Sequence, residues 1–218
     1  MSSGYTGVRK GMLVVISGFS GSGKGTLMKK LMENYDQYAL SISATTRNPR
    51  PGEVEGKDYF YVSKERFREM IMKDELIEYA EYVGNFYGTP KDYVLSEMQK
   101  GKDIILEIEM QGALKIKAKY PQSILIFITP PDAAELERRL RGRGTEDEET
   151  IRKRLGKALQ ESVGVEGYDY IVVNDDLEKT VKHLNYLIQD QHMRVHEQVS
   201  FLESFRKELA AIVRDETE

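Results

Sequence analysis

Apolar residues in this chain come in continuous runs and in helical repeats, and the two alternate. Met12-Leu13-Val14-Val15-Ile16-Ser17 is unbroken by charge, as are Ser123 to Thr129 and Tyr170 to Asn174. Runs of this length predict strands buried on both faces, and Ile104 to Glu109, which opens after Gly101-Lys102-Asp103, reads the same way. Shorter strands are predicted at Tyr38–Ser43, by alternation, and at Tyr59–Ser63. Helix-forming residues follow from Leu27 to Met32, an amphipathic helix is predicted from about Lys64 to Lys73, and another ends at Gly101. Pro130-Pro131 stops a strand, Asp132 to Leu140 is helical, and a charged helix runs to about Val163. Buried strands alternating with helices predict an α/β fold with a parallel central sheet covered on both faces. Glu78 to Tyr87 is a tyrosine-rich patch, and Ala44 to Asp58 is polar and punctuated by Pro and Gly. From Leu177 onward there is no Gly or Pro, and Val181, Leu184, Ile188, Val195, Val199, Leu202, Phe205, Leu209 and Ile212 recur at helical, near-heptad spacing. This tail is expected to fold back onto the domain; a dimer-forming helix is the alternative. No internal repeat or low-complexity tract is visible.

Composition narrows the class. The chain has 218 residues, 40% apolar and 31% charged, enough for one sizeable domain with a real core. A net charge of −4 argues against a general nucleic-acid coat, so any anion site must come from local Arg and Lys clusters. The absence of Cys removes disulfides, thiolate catalysis and thiolate metal sites. The polar arm Met1–Gly7 leads into an apolar run too short for a signal or membrane segment, so the expectation is a cytoplasmic protein without membrane partners.

The candidate chemistry starts where the first strand stops. Gly18-Phe19-Ser20-Gly21-Ser22-Gly23-Lys24-Gly25-Thr26 stands between a buried strand and a helix. Glycines let backbone N–H groups converge on anionic oxygens, the helix N-terminus adds its positive end, and Lys24 adds a full charge for outer phosphates. Gly25 occupies the position where a Ser or Thr usually follows the Lys, with Thr26 one later, so one possible Mg²⁺-ligating hydroxyl is missing. Glu107 and Glu109, two apart on a predicted strand, should project from one face beside this loop. Arginines cluster twice: Arg47 and Arg50, and then Arg138, Arg139, Arg141, Arg143, Arg152 and Arg154 around the Gly142–Gly144 turn. His183, His192 and His196 all lie in the tail; the i, i+4 pair His192 and His196 could bind a metal, but a solvated helix face is the favoured reading. The body therefore has no histidine proton shuttle. Phosphoryl transfer onto an already ionised phosphate needs none, only positioning and charge neutralisation.

Ser43-Ala44-Thr45-Thr46-Arg47-Asn48-Pro49-Arg50-Pro51-Gly52-Glu53, continued by Gly56-Lys57-Asp58-Tyr59, resembles the GMP-binding signature of guanylate kinases. The phosphate loop, Gly84 to Thr89, Glu107-Ile108-Glu109 with Gln111-Gly112, the Arg-Gly-Arg-Gly-Thr turn and Val173 to Leu177 match the same family in order, from about Gly11 to Ile188. The resemblance implies a P-loop NTPase three-layer fold over residues 1–190, with a GMP-binding insertion at about 43–98, a mobile helical lid at about 133–164, and a C-terminal helical extension at 191–218. It implies transfer of the γ-phosphoryl group of ATP to GMP, giving ADP and GDP, with Mg²⁺ as cofactor and no nucleic-acid partner. A monomer and a homodimer through the C-terminal helix both stay open. Carried over, Arg47, Arg50, Tyr59 and Tyr87, with Glu53 beside them, would hold the GMP phosphate. Ser43, Glu78, Thr89 and Glu109 would read guanine. Gly18, Ser20, Gly21, Ser22, Gly23, Lys24, Gly25 and Thr26 would hold ATP phosphates, and Asn174 would lie near adenine. Lys24, Arg139, Arg143 and Arg154 would act on the transferring group, and Glu107 would lie near Mg²⁺. The alternative is a non-catalytic guanylate-kinase-like module that binds phosphopeptides; the intact Lys24 and lid arginines speak against it.

Overall fold

A computed structural model of the chain describes residues 9–82, 84–142 and 147–215. The order of elements is β1 (Leu13–Gly18), α1 (Lys24–Asn34), β2 (Tyr38–Leu40), β3 (Ala44–Thr45), β4 (Phe60–Tyr61) and α2 (Lys64–Met72). Then come β5 (Leu76–Tyr82), β6 (Asn85–Pro90), α3 (Lys91–Gln99), β7 (Asp103–Glu107), α4 (Met110–Lys119) and β8 (Ile124–Thr129). The chain closes with α5 (Ala133–Arg141), α6 (Glu148–Ser162), β9 (Tyr170–Val173), α7 (Leu177–Gln191) and α8 (Val199–Asp215).

Five strands form a parallel sheet in the order β2-β7-β1-β8-β9. Its continuous apolar runs are explained by which residues each face buries. Val14, Ile16, Ile105, Ile126 and Ile128 pack with Leu27 and Leu31 of α1 and Val181, Leu184 and Ile188 of α7. Leu13, Val15, Ile104, Leu106 and Leu125 pack on the opposite side with Val94 of α3 and Ala113 and Ile116 of α4. Successive residues thus enter opposite cores, and a polar residue at any of them would be buried without a partner. The result is three layers, with the carboxyl ends of β1 and β7 opening at one edge, where such sheets bind ligands.

The segment between β2 and α3 builds a second, mixed sheet in the order β4-β3-β6-β5, covered by α2. Its core is small: Ala44, Phe67, Met70 and Leu76, with Phe67 stacked on Phe86 at 5.4 Å between ring centroids. The helices α5 and α6 share another small core of Leu136, Leu140, Ile151 and Ala158, against which Phe19 of the phosphate loop packs.

Three expectations change. β2 ends at Leu40 rather than Ser43, because the chain leaves the sheet to start the insertion. β7 ends at Glu107, and Glu109 stands at the N-cap of α4, so the two carboxylates do not share a strand face. The tail is not one helix folded onto the domain. α7 docks as expected, but Arg194 adopts an extended conformation (φ −62°, ψ 139°) that redirects the chain. Most apolar residues of α8 stay exposed, Phe205 at 48% and Ile212 at 58% among them, with Leu202 half-buried. No described helix is long and apolar enough to cross a membrane.

Candidate active site

β1 delivers the phosphate loop to the edge of the sheet, and α1 begins at Lys24. Gly23, the N-cap of α1, has φ +85°, and a Cβ there would come within 2.5 Å of the Asn174 amide nitrogen. Both the backbone and the neighbour therefore require glycine. Asn174, just past β9, donates from Nδ2 to the Ser22 carbonyl at 2.8 Å. Arg139 of α5 reaches the Asn174 carbonyl at 2.9 Å and the Ser22 carbonyl at 3.4 Å. Arg154 of α6 donates to Ser20 Oγ. The loop is thus braced from outside by three side chains and from within by the Ser22 amide on the Phe19 carbonyl at 3.0 Å, which leaves other loop amides and the first N–H groups of α1 for an anion.

A cleft of about 290 Å³ lies over the loop, lined by Ser20, Gly21, Gly23, Lys24, Thr26 and Glu107 among others. Glu107 arrives because β7 pairs with β1 in register, Ile16 opposite Glu107. The Lys24 ammonium folds back onto the Gly18 carbonyl at 2.7 Å. Gly25 has open space on its Cβ side, so no packing constraint explains the missing Ser or Thr.

On the second sheet, Arg47, Glu53, Tyr59, Tyr61 and Tyr87 form one cluster. Arg47 Nη2 donates to Glu53 Oε1 at 2.8 Å, and its guanidinium lies 5.3 Å from the Tyr59 ring centre. The Tyr59 ring stands 5.9 Å from Tyr61 and 6.1 Å from Tyr87. Glu53 Oε2 accepts from the Arg50 amide and the Tyr61 hydroxyl, both at 2.7 Å. Hydrogen bonds from Arg47, the Arg50 amide and Tyr61 pull the Glu53 carboxyl down to about 2. Burial first, then Glu53, pushes the Tyr61 phenol up to about 12. Arg50 itself is exposed, its guanidinium without a partner among the described residues. This is a concentration of cation and phenol donors on a surface that turns outward.

A pair of carboxylates lies where β5 meets the start of α4. Thr89 Oγ1, fully buried on β6, donates to Glu78 Oε1 of β5 at 2.8 Å. Burial raises the Glu78 pKa, against the lowering effect of Thr89 and of Lys115. β5 packs on α4, and Glu78 Oε2 would lie 3.9 Å from a Cβ at Gly112. Gly112 and Glu109 are three apart on α4, so Glu78 and Glu109 approach the same turn. Glu109 is bound by Lys157 of α6, 3.1 Å from both its oxygens. Ser43 is half-buried and accepts the Phe60 amide on its carbonyl at 2.9 Å.

The structure therefore groups Lys24, Thr26 and Glu107 at one place, Arg47, Glu53, Tyr59 and Tyr87 at a second, and Glu78, Thr89 and Glu109 at a third. Arg143 falls outside the described residues. Sequence reasoning missed Tyr61 and Lys157. The alternation Tyr59-Phe60-Tyr61 carried a signal for the first, since i and i+2 share a strand face; Lys157 had none. His192 is the reverse case. Its spacing predicts a solvated helix face, yet it reaches the buried Asp103 at 2.9 Å, at the far end of the sheet. Among the described residues no group of three or more acidic, His or Cys side chains gathers as a metal would require.

The guanylate kinase family model matches residues 10–191. A guanylate kinase from Latilactobacillus sakei is 48% identical over 187 residues, covering 85% of this chain and 92% of that protein. One from Clostridioides difficile is 46% identical over 203 residues, covering 93% and 99%. Among solved structures, the crystal structure of guanylate kinase from Anaplasma phagocytophilum matches with a TM-score of 0.64 and 36% identity, covering 85% of this chain and 88% of that one.

Proposed function

We propose the roles below from one premise: this chain belongs to the guanylate kinase family, with its P-loop NTPase fold, and transfers the γ-phosphoryl group of ATP to GMP, giving ADP and GDP. The non-catalytic alternative finds no support among these relatives. Gly18, Ser20, Gly21, Ser22, Gly23, Gly25 and Thr26 offer backbone amides and hydroxyls to the ATP phosphates, and Lys24 leaves the Gly18 carbonyl for their outer oxygens. Arg139 and Arg154, with Arg143, act from the lid on the transferring group. Asn174 sets the shape of the loop through Ser22 and stands at the adenine end.

The cluster on the second sheet takes the GMP phosphate. Arg47 and Arg50 supply charge, Tyr59 and Tyr87 supply donors without charge, and Glu53 holds Arg47 in place. The observation that carries the base assignment is Glu78 beside Thr89. Guanine presents N1–H and an N2 amine side by side, which one ionised carboxylate accepts together, while adenine would turn a lone pair toward it. Ser43 and Thr89 hydroxyls donate to guanine O6, Thr89 by turning away from Glu78. Glu109 adds a second acceptor. A buried mismatch costs on the order of a few kcal/mol, enough for strong selection.

The acceptor oxygen is ionised when it attacks, so the chain moves no proton; it aligns two nucleotides and neutralises their charge. One carboxylate, Glu107, and the Thr26 hydroxyl fit a Mg²⁺ held mainly by phosphates and water, the way this ion is usually bound to nucleotides. Bound there, the ion would neutralise charge on the ATP phosphates. The insertion (43–98) and the lid (133–164) are the moving parts, and their approach excludes water and suppresses ATP hydrolysis. The cytoplasm, where both nucleotides are available, is the compartment this reading implies.

The test is ADP release with ATP and each of GMP, AMP, CMP and UMP. Turnover should favour GMP by at least about a hundredfold. Preference for AMP, or no turnover with any acceptor, overturns the assignment.

A further inference from the structure

Glu109 caps α4 without using its side chain. Its backbone is extended (φ −73°, ψ 156°), and none of the α4 amides bonds its carboxylate. Lys157 of α6 takes the carboxylate instead, with Nζ 3.1 Å from each oxygen. An ammonium equidistant from both oxygens covers the edge that two neighbouring N–H donors of a base would use. Lys157 also has a second acceptor one turn along its own helix, Glu161 Oε1 at 3.5 Å. It can therefore leave Glu109 and keep an ion pair. α6 belongs to the lid, and Arg154–Ser20 and Lys157–Glu109 are among its polar ties to the body, with Arg139–Asn174 and Arg139–Ser22 among those of its neighbour α5.

We propose that Lys157 is a positioning residue that couples acceptor binding to the lid: it occupies Glu109 while guanine is absent, and an arriving guanine displaces it onto Glu161, releasing one of the ties of α6 to the body. The proposal rests on the reading of Glu109 as a guanine contact. Occupied Glu109 taxes GMP binding, because the ion pair must break first; the helix so released from Glu109 is the one whose Arg154 already sits on Ser20 of the phosphate loop. The pair is solvated, with side chains 52% and 79% exposed, so the tax is small. It should amount to about two- to fivefold in GMP affinity, shrinking as salt is raised.

GMP is titrated calorimetrically without ATP, and KM and kcat are measured, for the wild type, Lys157→Met, Lys157→Arg, Glu109→Gln and the Glu109→Gln/Lys157→Met double variant. Methionine keeps the length of the side chain and removes the charge. It should tighten GMP and lower its KM by about two- to fivefold with kcat changed far less, and arginine should restore the wild-type values. Glu109→Gln should weaken GMP, and Lys157→Met should then add nothing. GMP affinity in the double variant equal to that of Lys157→Met overturns the guanine contact, and the coupling with it. Weakened GMP in Glu109→Gln together with unchanged or weaker GMP in Lys157→Met overturns the coupling alone. Tightening by Lys157→Met that persists in the double variant also overturns it.

Discussion

β7 carries a carboxylate at each end, and the two have opposite fates. Asp103, at its start, is fully buried and saturated: Arg9, the Met12 amide at 2.9 Å, His192 at 2.9 Å and Gln189 at 3.2 Å all approach it. These partners come from the arm before β1 and from the end of α7, so one side chain ties three parts of the chain together. Glu107, at the other end, is exposed to the cleft over the phosphate loop and has no ion-pair partner among the described residues. The same residue class on the same strand is structural where fixed donors exhaust it and available where they do not. Unused capacity at the carboxyl end of the sheet marks the site more clearly than charge alone.

Lys24→Ala should give the largest effect. Its bonds to the Gly18 and Phe19 carbonyls lie at the rim of the cleft, and their loss leaves acceptors that water can reach. We expect kcat to fall between about 100- and 1000-fold while stability stays within about 0.5 kcal/mol. A matching drop in thermal stability would show that Lys24 belongs with Asp103, as part of the scaffold.

Asp103→Ala should do the reverse. It strands the Met12 amide and leaves Arg9 and His192 facing each other at 2.9 Å without the anion between them. The cost is about 2–3 kcal/mol of stability, read by denaturant unfolding, with kcat of the folded protein near wild type. Loss of turnover with unchanged unfolding would break the comparison at this end.

What the sequence made legible follows the same division. The phosphate loop is nine consecutive residues whose geometry is local, and the parallel strands declare themselves because both faces are buried. The second sheet does not. β3 and β4 are two residues each, and β5 reads Leu-Ile-Glu-Tyr-Ala-Glu-Tyr, with Tyr79 half exposed and Glu78 turned to a ligand site. A strand that serves a binding surface lacks the apolar alternation by which strands are found. Pairs such as His192–Asp103 and Lys157–Glu109 join residues 89 and 48 positions apart, and no local pattern encodes them. The roles of Arg47, Tyr59, Glu78 and Tyr87 follow from the family resemblance, and their surroundings are visible only in the fold.

Glu78 stands between the two fates, and its substitution sharpens the comparison most finely. It is half-buried and engaged by Thr89, yet burial holds its pKa above the usual carboxylate value, so the fold alone disfavours its charge. A carboxylate whose folded pKa is raised gives up stability as pH climbs through that pKa, the opposite of the salt-bridged Glu53. Glu78→Gln removes this burden, and its melting temperature at neutral pH should equal or exceed that of the wild type. Guanine, however, needs the charged acceptor. GMP affinity should fall about tenfold in the variant, with ATP binding unchanged. Lowering the pH should weaken GMP binding to the wild type as Glu78 takes up its proton, while the glutamine variant follows only the titration of the GMP phosphate common to both. Parallel pH profiles for the two proteins, or unchanged discrimination between GMP and AMP, would return Glu78 to the class of Asp103.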